Sequence, residues 1–224
     1  MPDRVILITG ASSGIGAASA RAAAEAGWKV ALAARSEEKL AALVDEIGSG
    51  RALAIPTDVT DEDSVKAMVA KAAGFGPLAA AFANAGTGAS SFGAEQGDTA
   101  NWRQMVDINI WGLLLTVRHA LPELHKAEGG HMLLTGSQAG RTVMKGSVYG
   151  ATKWFVHAFR DNLAQEMKEW GGRCTVIAPG MVDTPFFDEP KPEGLRPEDV
   201  ARAVVYALEQ PAGVEIGEIF LRPV

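Results

Sequence analysis

The chain has 224 residues, of which 47% are hydrophobic, and this is enough to build the core of one α/β unit. Its 27 acidic and 21 basic residues give a net charge of −6 without any basic cluster, which argues against nucleic-acid binding. No window reaches the ~20 apolar residues that a membrane span needs, and the single cysteine excludes an intrachain disulfide.

Short apolar segments alternate with helical segments along the whole chain. Such segments are typical of parallel strands that are buried on both faces. We predict strands at Val5–Thr9, Val30–Ala34, Ala52–Ile55, Leu78–Ala83, His131–Thr135, Cys174–Ala178 and Ile216–Leu221. The alternation predicts right-handed βαβ crossovers. The expected fold class is therefore α/β, with a doubly wound, mostly parallel sheet of about seven strands and helices on both faces.

Several helix starts carry recognisable signals. Ser36 can cap the free amides of the helix that follows it. The acidic residues of Asp61–Asp63 suit the positive end of a helix dipole, and Pro197 stands where a first helical turn tolerates proline. A further helix is predicted from Ser147 to about Trp170.

One long loop interrupts this pattern near the C-terminus. Thr184–Arg196 carries prolines at positions 185, 190 and 192, and loops of this length tend to be functional or mobile. We therefore expect one domain over residues 1–224, with a short substrate lid near residues 184–196.

A glycine-rich turn, Thr9–Gly16, joins the first strand to the next helix. Gly10 permits the tight turn, while Gly14 and Gly16 let the backbone approach a pyrophosphate whose charge the helix amides bind. The spacing G-x-x-x-G-x-G differs from the generic G-x-G-x-x-G, so a plain glycine turn is an alternative when the segment is taken alone.

Arg35 follows the second strand, where an NAD enzyme of this type carries an acid for the ribose 2′-hydroxyl. An arginine there can pair with a 2′-phosphate, and the segment Leu32–Ser36 contains no carboxylate to repel that group. The position favours NADP(H), and the alternative is a solvated arginine at a helix start.

Tyr149 and Lys153 lie four residues apart on a predicted helix, so their side chains project from one face. A phenol has a pKa near ~10, and a nearby ammonium lowers it. The tyrosine could then give a proton to a carbonyl oxygen or remove one from an alcohol. Ser137 lies just after the fifth strand, at the edge where such sheets bind ligands, and its hydroxyl could hold the substrate oxygen.

Together these motifs resemble the short-chain dehydrogenase/reductase family over almost the whole chain. The resemblance implies a Rossmann-like enzyme that uses NADP(H) to interconvert a small carbonyl compound and its alcohol by hydride transfer. It implies a catalytic tetrad of Asn109, Ser137, Tyr149 and Lys153, in which Asn109 serves a proton relay and Lys153 also bonds the nicotinamide ribose. The cofactor contacts that it implies are Gly10, Ser12, Ser13, Gly14, Ile15, Gly16, Arg35, Asp58, Val59, Asn84, Ala85, Gly86, Tyr149, Lys153, Pro179, Gly180, Val182 and Thr184.

Within this resemblance, the pair Asp58–Val59 contacts adenine, Asn84–Gly86 supports the sheet, and the segment from Pro179 to Thr184 holds the nicotinamide carboxamide. Two positions depart from the usual family pattern: Ala83 replaces an asparagine and Gly136 a frequent serine. The lid sequence resembles a subgroup that oxidises 3-hydroxy acids, and its shortness indicates a small substrate or an open pocket for a broad range of carbonyls.

Other functions of the same fold stay open at this point. A redox sensor that binds NADP(H) without turnover is the alternative, while an epimerase or dehydratase is disfavoured because those relatives are usually much longer. The resemblance also implies a homo-oligomer (dimer or tetramer) that acts on a small molecule. The composition and the N-terminal sequence, which enters a strand without a signal-like segment, predict a cytoplasmic protein without nucleic-acid or membrane partners.

The remaining aromatic residues, histidines and cysteine receive no catalytic role. Cys174 lies in a predicted buried strand, where a free cysteine packs as a small apolar residue. Three residues could belong either to a subunit interface or to the core, namely Trp111, Trp154 and Phe155. No metal is expected, because the histidines lack metal-ligand spacing and are interpreted as surface or packing residues: His119, His125, His131 and His157.

Overall fold

A computed structural model of the chain describes residues 3–91 and 93–224. These residues form a seven-stranded sheet in which every neighbouring pair is parallel, with the strand order 3-2-1-4-5-6-7. The strands are β1 (Val5–Thr9), β2 (Lys29–Ala34), β3 (Ala52–Pro56), β4 (Leu78–Ala83), β5 (His131–Thr135), β6 (Arg173–Pro179) and β7 (Glu218–Leu221). The predicted fold class is confirmed.

Helices connect successive strands and cover both faces of the sheet. They are α1 (Gly14–Glu25), α2 (Glu37–Ile47), α3 (Glu62–Phe75), α4 (Thr99–Val106), α5 (Leu113–His125), α6 (Val148–Lys168) and α7 (Pro197–Leu208). A π-helical segment, Asp107–Gly112, links α4 to α5. In the part of the chain described, no helix combines the length and the apolar character that crossing a membrane would require.

The alternation of side chains along the strands divides the core into two layers. In β1, Val5 and Leu7 pack into the layer that α3, α5 and α6 cover. Ile6 and Ile8 pack into the opposite layer, beneath α1, α2 and α7. Because both faces are buried, the strands carry continuous apolar sequence, which is the signal that predicted them.

The helix starts follow their sequence signals with one exception. The Asp61 carboxylate accepts a hydrogen bond from the Ser64 amide at 2.7 Å, and the Ser147 hydroxyl accepts one from the Gly150 amide at 3.0 Å. The prediction that the Ser36 side chain caps α2 is wrong, since it makes no capping hydrogen bond. Ser36 instead lines a large cavity at the carboxyl ends of the strands, which is described below.

The strand order reverses between β1 and β4, because the chain crosses from one half of the sheet to the other there. In open parallel sheets, the crevice at the carboxyl ends of the strands beside such a reversal is the usual ligand site.

Candidate active site

The glycine turn after β1 is shaped for close approach to an anion. Gly10 and Gly14 have φ angles of +66° and +51°, in the left-handed region that favours glycine. A Cβ added at Gly16 would collide with the carbonyl oxygen of Gly10. The side chain of Ser13, at the N-cap of α1, makes no capping hydrogen bond. The start of α1 therefore fits a phosphate group, because helix amides without a capping side chain bind anions.

A hydrogen-bonded hub ties together the carboxyl ends of β1, β4 and β5. The Thr9 hydroxyl accepts from the amides of Asn84 (3.0 Å) and Ala85 (3.1 Å). The Asn84 side chain donates to the Thr9 carbonyl at 3.0 Å and accepts from the Thr135 hydroxyl at 3.0 Å. This network fixes the floor of the crevice relative to the glycine turn.

Lys153 reaches the same floor from α6. It is 5% exposed, and its Nζ donates to the Thr135 carbonyl at 2.8 Å. Burial lowers the pKa of Lys153 to about 8, because removal from water disfavours the ammonium form.

Tyr149 lies one turn before Lys153, with its ring centroid 5.8 Å from the lysine Nζ. Burial raises the pKa of the phenol above its ordinary value, while the Ser137 hydroxyl favours the phenolate and opposes this rise. Loss of hydration dominates this pKa. The expectation that the ammonium of Lys153 lowers it stays a prediction.

Ser137 follows β5 and caps a short 3₁₀ turn, Gln138–Gly140. Its Oγ accepts a hydrogen bond from the Ala139 amide at 3.1 Å. A hydroxyl that accepts one hydrogen bond still has its own proton to donate. The serine can therefore present that proton to an oxygen atom in the crevice.

Asn109 lies in the π-helical segment and is 2% exposed. Its Oδ1 accepts from the Thr87 amide at 2.8 Å, and its Nδ2 donates to the Thr87 carbonyl at 2.9 Å and to the Thr152 hydroxyl at 3.1 Å. The carboxamide therefore joins the loop after β4 to α6. The predicted relay residue itself lies outside the cavity lining, whereas its hydrogen-bond partner Thr87 belongs to that lining.

One cavity of about 790 Å³ collects the residues that the sequence singled out. Apart from Gly16 and Asn109, every predicted catalytic or cofactor-binding residue lines it. The sequence analysis missed several lining residues, among them Lys39, Thr87 and Phe186. Lys39 had one usable signal, since it is a second basic residue in the first turn of the helix that follows Arg35.

The end of the cavity beside β2 is rich in exposed polar groups. Arg35 and Lys39 are both exposed there. The Asp58 carboxylate accepts hydrogen bonds from the Thr60 amide (2.9 Å) and hydroxyl (2.7 Å). These bonds, assisted by the charge of Arg35, hold the pKa of Asp58 below its ordinary value. The Asp58 carboxylate is thus already bound to its own loop, and Arg35 is the cation that acts on it.

The segment after β6 closes the opposite end. A bridge between Val182 and Leu195 joins the two ends of the loop predicted as a lid. Thr184 lies against the glycine turn, where a Cβ added at Gly14 would stand 3.1 Å from the threonine Cβ. From the same loop, the ring of Phe186 lies 5.8 Å from the ring of Tyr149.

The sequence left it undecided whether three aromatic residues belong to the core or to a subunit interface, and the structure separates them into two groups. Trp111 and Trp154 are 48% and 45% exposed, so the core alternative is wrong for both. Phe155 is partly buried and packs against the core.

A doubly wound parallel sheet with a glycine turn and a Tyr–Lys pair at its carboxyl edge defines the class of Rossmann-like oxidoreductases. The family model described as short chain dehydrogenase matches residues 4–193. An uncharacterized oxidoreductase of Staphylococcus haemolyticus is 40% identical, over 99% of this chain and 97% of its own. The chain therefore belongs to the short-chain dehydrogenase family, as its motifs predict.

Solved structures agree with this assignment. An alcohol dehydrogenase from the archaeon Thermococcus sibiricus, complexed with 5-hydroxy-NADP, superposes with a TM-score of 0.91 and 31% identity, covering 99% of this chain and 97% of that one. Serine dehydrogenase from Escherichia coli gives a TM-score of 0.89 and 32% identity, covering 98% and 97% of the two chains.

Proposed function

We propose that the protein is an NADP(H)-dependent oxidoreductase that interconverts a small carbonyl compound and its alcohol. The observation that carries this proposal is the meeting of Ser137, Tyr149 and Lys153 in one cavity with the glycine turn. A bound nicotinamide would exchange a hydride with the substrate carbon. The protein must then position the substrate oxygen and move a proton to or from it.

Each of the proposed catalytic residues has a defined part in that proton movement. Ser137 donates its hydroxyl proton to the substrate oxygen and stabilises the charge that develops there. Tyr149 transfers the proton, and its raised pKa keeps the phenol protonated at neutral pH. Lys153 stabilises the phenolate left behind and would bond the nicotinamide ribose of a bound cofactor, while Asn109 supports the relay that restores the proton.

The cofactor would lie along the cavity from the β2 end to Tyr149. Gly10–Gly16 would hold the pyrophosphate, and Arg35 with Lys39 would hold a 2′-phosphate. Asp58–Val59 would meet the adenine, Asn84–Gly86 would form the floor, and Pro179–Thr184 would hold the carboxamide. The NADP analogue bound by the Thermococcus sibiricus relative supports this choice of cofactor.

For the substrate, we propose a 3-hydroxy acid or a range of small carbonyl compounds. The similarity to a serine dehydrogenase supports the first option. We also propose one domain over residues 1–224, with residues 184–196 as the lid. Phe186 packs beside Tyr149, so an apolar side chain of this lid lies near the proposed proton donor.

We further propose that the protein is a homo-oligomer. The exposed Trp111 and Trp154 support this, because aromatic residues are enriched in interfaces. Light scattering on the purified protein tests it, and a monomeric mass at micromolar concentration would refute it. The cytoplasmic location stays a prediction.

Replacement of the proposed proton donor tests the reaction. Tyr149→Phe should lower turnover of a carbonyl panel by roughly a hundredfold to ten-thousandfold, which is the usual contribution of general acid–base catalysis. NADPH binding, followed by nucleotide fluorescence, should be unchanged. The control is Tyr206→Phe, because Tyr206 is 57% exposed and lies outside the cavity lining. Near-normal turnover by Tyr149→Phe would refute the mechanism, and wild-type binding without any turnover would favour the redox sensor.

Replacement of Arg35 tests the cofactor preference. Arg35→Ala should weaken NADPH binding roughly tenfold to a hundredfold, because a hydrogen-bonded pair with a charged partner is lost. NADH binding should hardly change. Arg118→Ala serves as the control, since Arg118 is exposed on α5 and lies outside the cavity lining. Equal weakening of both nucleotides would contradict the assignment.

A further inference from the structure

His157 lies directly behind the backbone of Ser137. It follows Lys153 by one helical turn on α6 and is 2% exposed. Its Nε2 is 3.4 Å from the Ser137 amide nitrogen and 3.2 Å from the Ser137 carbonyl oxygen. A buried, titratable ring therefore touches the peptide groups that place the proposed polarising hydroxyl.

Two glycines provide the space for this ring. A Cβ added at Gly136 would stand 2.7 Å from Nε2 of His157, and one added at Gly140 would stand 2.8 Å from the same atom. Either contact would force the imidazole away from Ser137. The absence of a side chain at both positions therefore leaves room for the ring beside Ser137.

The other edge of the ring faces an acidic residue on β7. Nδ1 of His157 is 3.4 Å from Oε1 of Glu218 and has no hydrogen-bond partner among the described residues. Glu218 also accepts a hydrogen bond from Nε of Arg141 at 3.3 Å. A small cavity of about 150 Å³ adjoins this group, lined in part by Arg160 and Asp161. The imidazole thus bridges the Ser137 turn and a partly exposed ion pair.

The available hydrogen-bond partners select one form of the ring. The Ser137 carbonyl already accepts from the Gly140 amide at 2.9 Å. Within residues 3–91 and 93–224, the Ser137 amide has one acceptor, Nε2 of His157. A neutral ring with its proton on Nδ1 can accept the Ser137 amide proton. It also turns its N–H side, and not a lone pair, towards the charge of Glu218, which lies 3.4 Å from Nδ1 without a hydrogen bond. The other tautomer would set a lone pair against the carboxylate and leave the Ser137 amide unpaired.

We propose that His157 is a positioning residue for the reaction, which holds the Ser137 turn by accepting its amide proton while Glu218 fixes the ring tautomer. The inference rests on the proposed function, because it gives Ser137 the part of polarising the substrate oxygen.

Protonation would reverse the contact between His157 and Ser137. The imidazolium donates through both nitrogens, so that Nε2 turns from the Ser137 amide towards its carbonyl. The charges that face the ring oppose each other: Glu218 raises the pKa of His157, while Arg141 on the turn after β5 and Lys153 on α6 lower it. Burial is the largest influence, and it places the pKa below the ordinary 6.5. The ring is therefore neutral at pH 7, and turnover should fall in the acidic range where the imidazole becomes protonated.

The tautomer can be measured without any substrate. In ¹⁵N-labelled protein at pH 7.5, long-range proton–nitrogen correlation should show the His157 ring protonated on Nδ1. The signals are assigned by their loss in His157→Gln. A ring protonated on Nε2, or a fully charged ring, would overturn the inference and leave the proposed function intact.

Paired variants test the effect on turnover. The asparagine side-chain amide would lie near the Nδ1 position, and the glutamine amide near the Nε2 position. Asparagine therefore loses the hydrogen bond to the Ser137 amide, whereas glutamine can keep it. His157→Asn should lower kcat about threefold to tenfold, the equivalent of one hydrogen bond, with unchanged NADPH affinity. His157→Gln should recover most of that loss. The control is His119→Asn, which breaks a similar pair with Glu62 (3.0 Å) away from the cavity. Equal kcat values for His157→Asn and wild type would refute the positioning role.

A third variant leaves the imidazole in place, in case changes at His157 prevent folding. Glu218→Gln removes the charge that raises the pKa of His157, so the imidazole midpoint should move to lower pH. The acidic fall of kcat should move with it by the same amount. An acidic fall that stays in place while the midpoint moves would show that His157 has no part in turnover. Retained activity in Tyr149→Phe, by contrast, would refute the proposed function itself.

Discussion

Replacement of Thr9 by valine isolates the hydrogen-bonded hub beneath the crevice. The two side chains have nearly the same shape, and Thr9 is 1% exposed, so packing should hardly change. The hydroxyl, however, accepts hydrogen bonds from the amides of Asn84 and Ala85. In Thr9→Val both amides face a methyl group and lose their acceptor.

The cost follows from these two amides. A buried donor without a partner costs about 1–3 kcal/mol. Asn84 is half-buried, so water can partly solvate its amide, and the combined cost of the two amides should lie in the lower part of the range. We expect Thr9→Val to reduce the free energy of unfolding by about 2–4 kcal/mol.

Thr116→Val provides the matched control. Thr116 is also 1% exposed, but its hydroxyl donates to the Gly112 carbonyl at 2.8 Å and accepts no amide proton within the described residues. Its replacement should cost about 1 kcal/mol or less. Urea unfolding followed by circular dichroism measures both variants, with the denaturant slope checked for constancy. Equal losses in the two variants would refute the reasoning that the accepting hydroxyl of Thr9 stabilises the hub.

Two further predictions concern buried titratable groups. Lys153→Met should abolish turnover yet stabilise the protein at pH 7 by about 2 kcal/mol. The drop of the lysine pKa from 10.5 to about 8 means that burying the ammonium costs about 3 kcal/mol. Its hydrogen bond to the Thr135 carbonyl, which the variant loses, offsets about 1 kcal/mol of this cost. Between pH 8 and 10.5 the lysine is protonated in the unfolded chain but neutral in the folded one, so wild-type stability should rise over this range and approach that of the variant. Urea unfolding at pH 7 and pH 10.5 measures the difference in stability. A variant that is less stable than the wild type at both pH values would contradict the prediction. Burial raises the pKa of Cys174 to about 12, so a thiol reagent at pH 8 should react with it only after unfolding, and rapid labelling of the folded protein would show that β6 opens.

The sheet could be predicted because its strands are buried on both faces and therefore apolar throughout. The ends of strands were less predictable. β7 begins at Glu218 rather than at Ile216, since the Ile216 carbonyl accepts from the Thr175 side chain at 2.6 Å. The π-helical segment Asp107–Gly112 was not predicted either, because an extra residue in a helical turn leaves no periodic signal.

The residues of the candidate site were predictable where chemistry dictates residue type, as for Tyr149 and Lys153. The direction of the Tyr149 pKa was not, because it depends on the depth of the phenol in the fold. His157 was interpreted as a surface or packing histidine. Its contact with Ser137 depends on the distance between α6 and the turn after β5, and on the absence of a side chain at Gly136. No spacing within the sequence reports that distance.

Burial moves three titratable groups of the site towards their neutral forms, but to different extents. It raises the pKa of Tyr149 and lowers those of Lys153 and His157. At pH 7 the Tyr149 phenol is protonated and the His157 imidazole is neutral. The Lys153 amine, with a pKa of about 8, is still charged. In the proposed reaction, this is the state that carbonyl reduction requires: a proton to donate, an acceptor for the Ser137 amide, and a cation to stabilise the phenolate. Alcohol oxidation would instead need the phenolate first, which burial disfavours. The burial that destabilises the fold at Lys153 therefore also prepares the site, in the proposed reaction, to protonate a carbonyl oxygen.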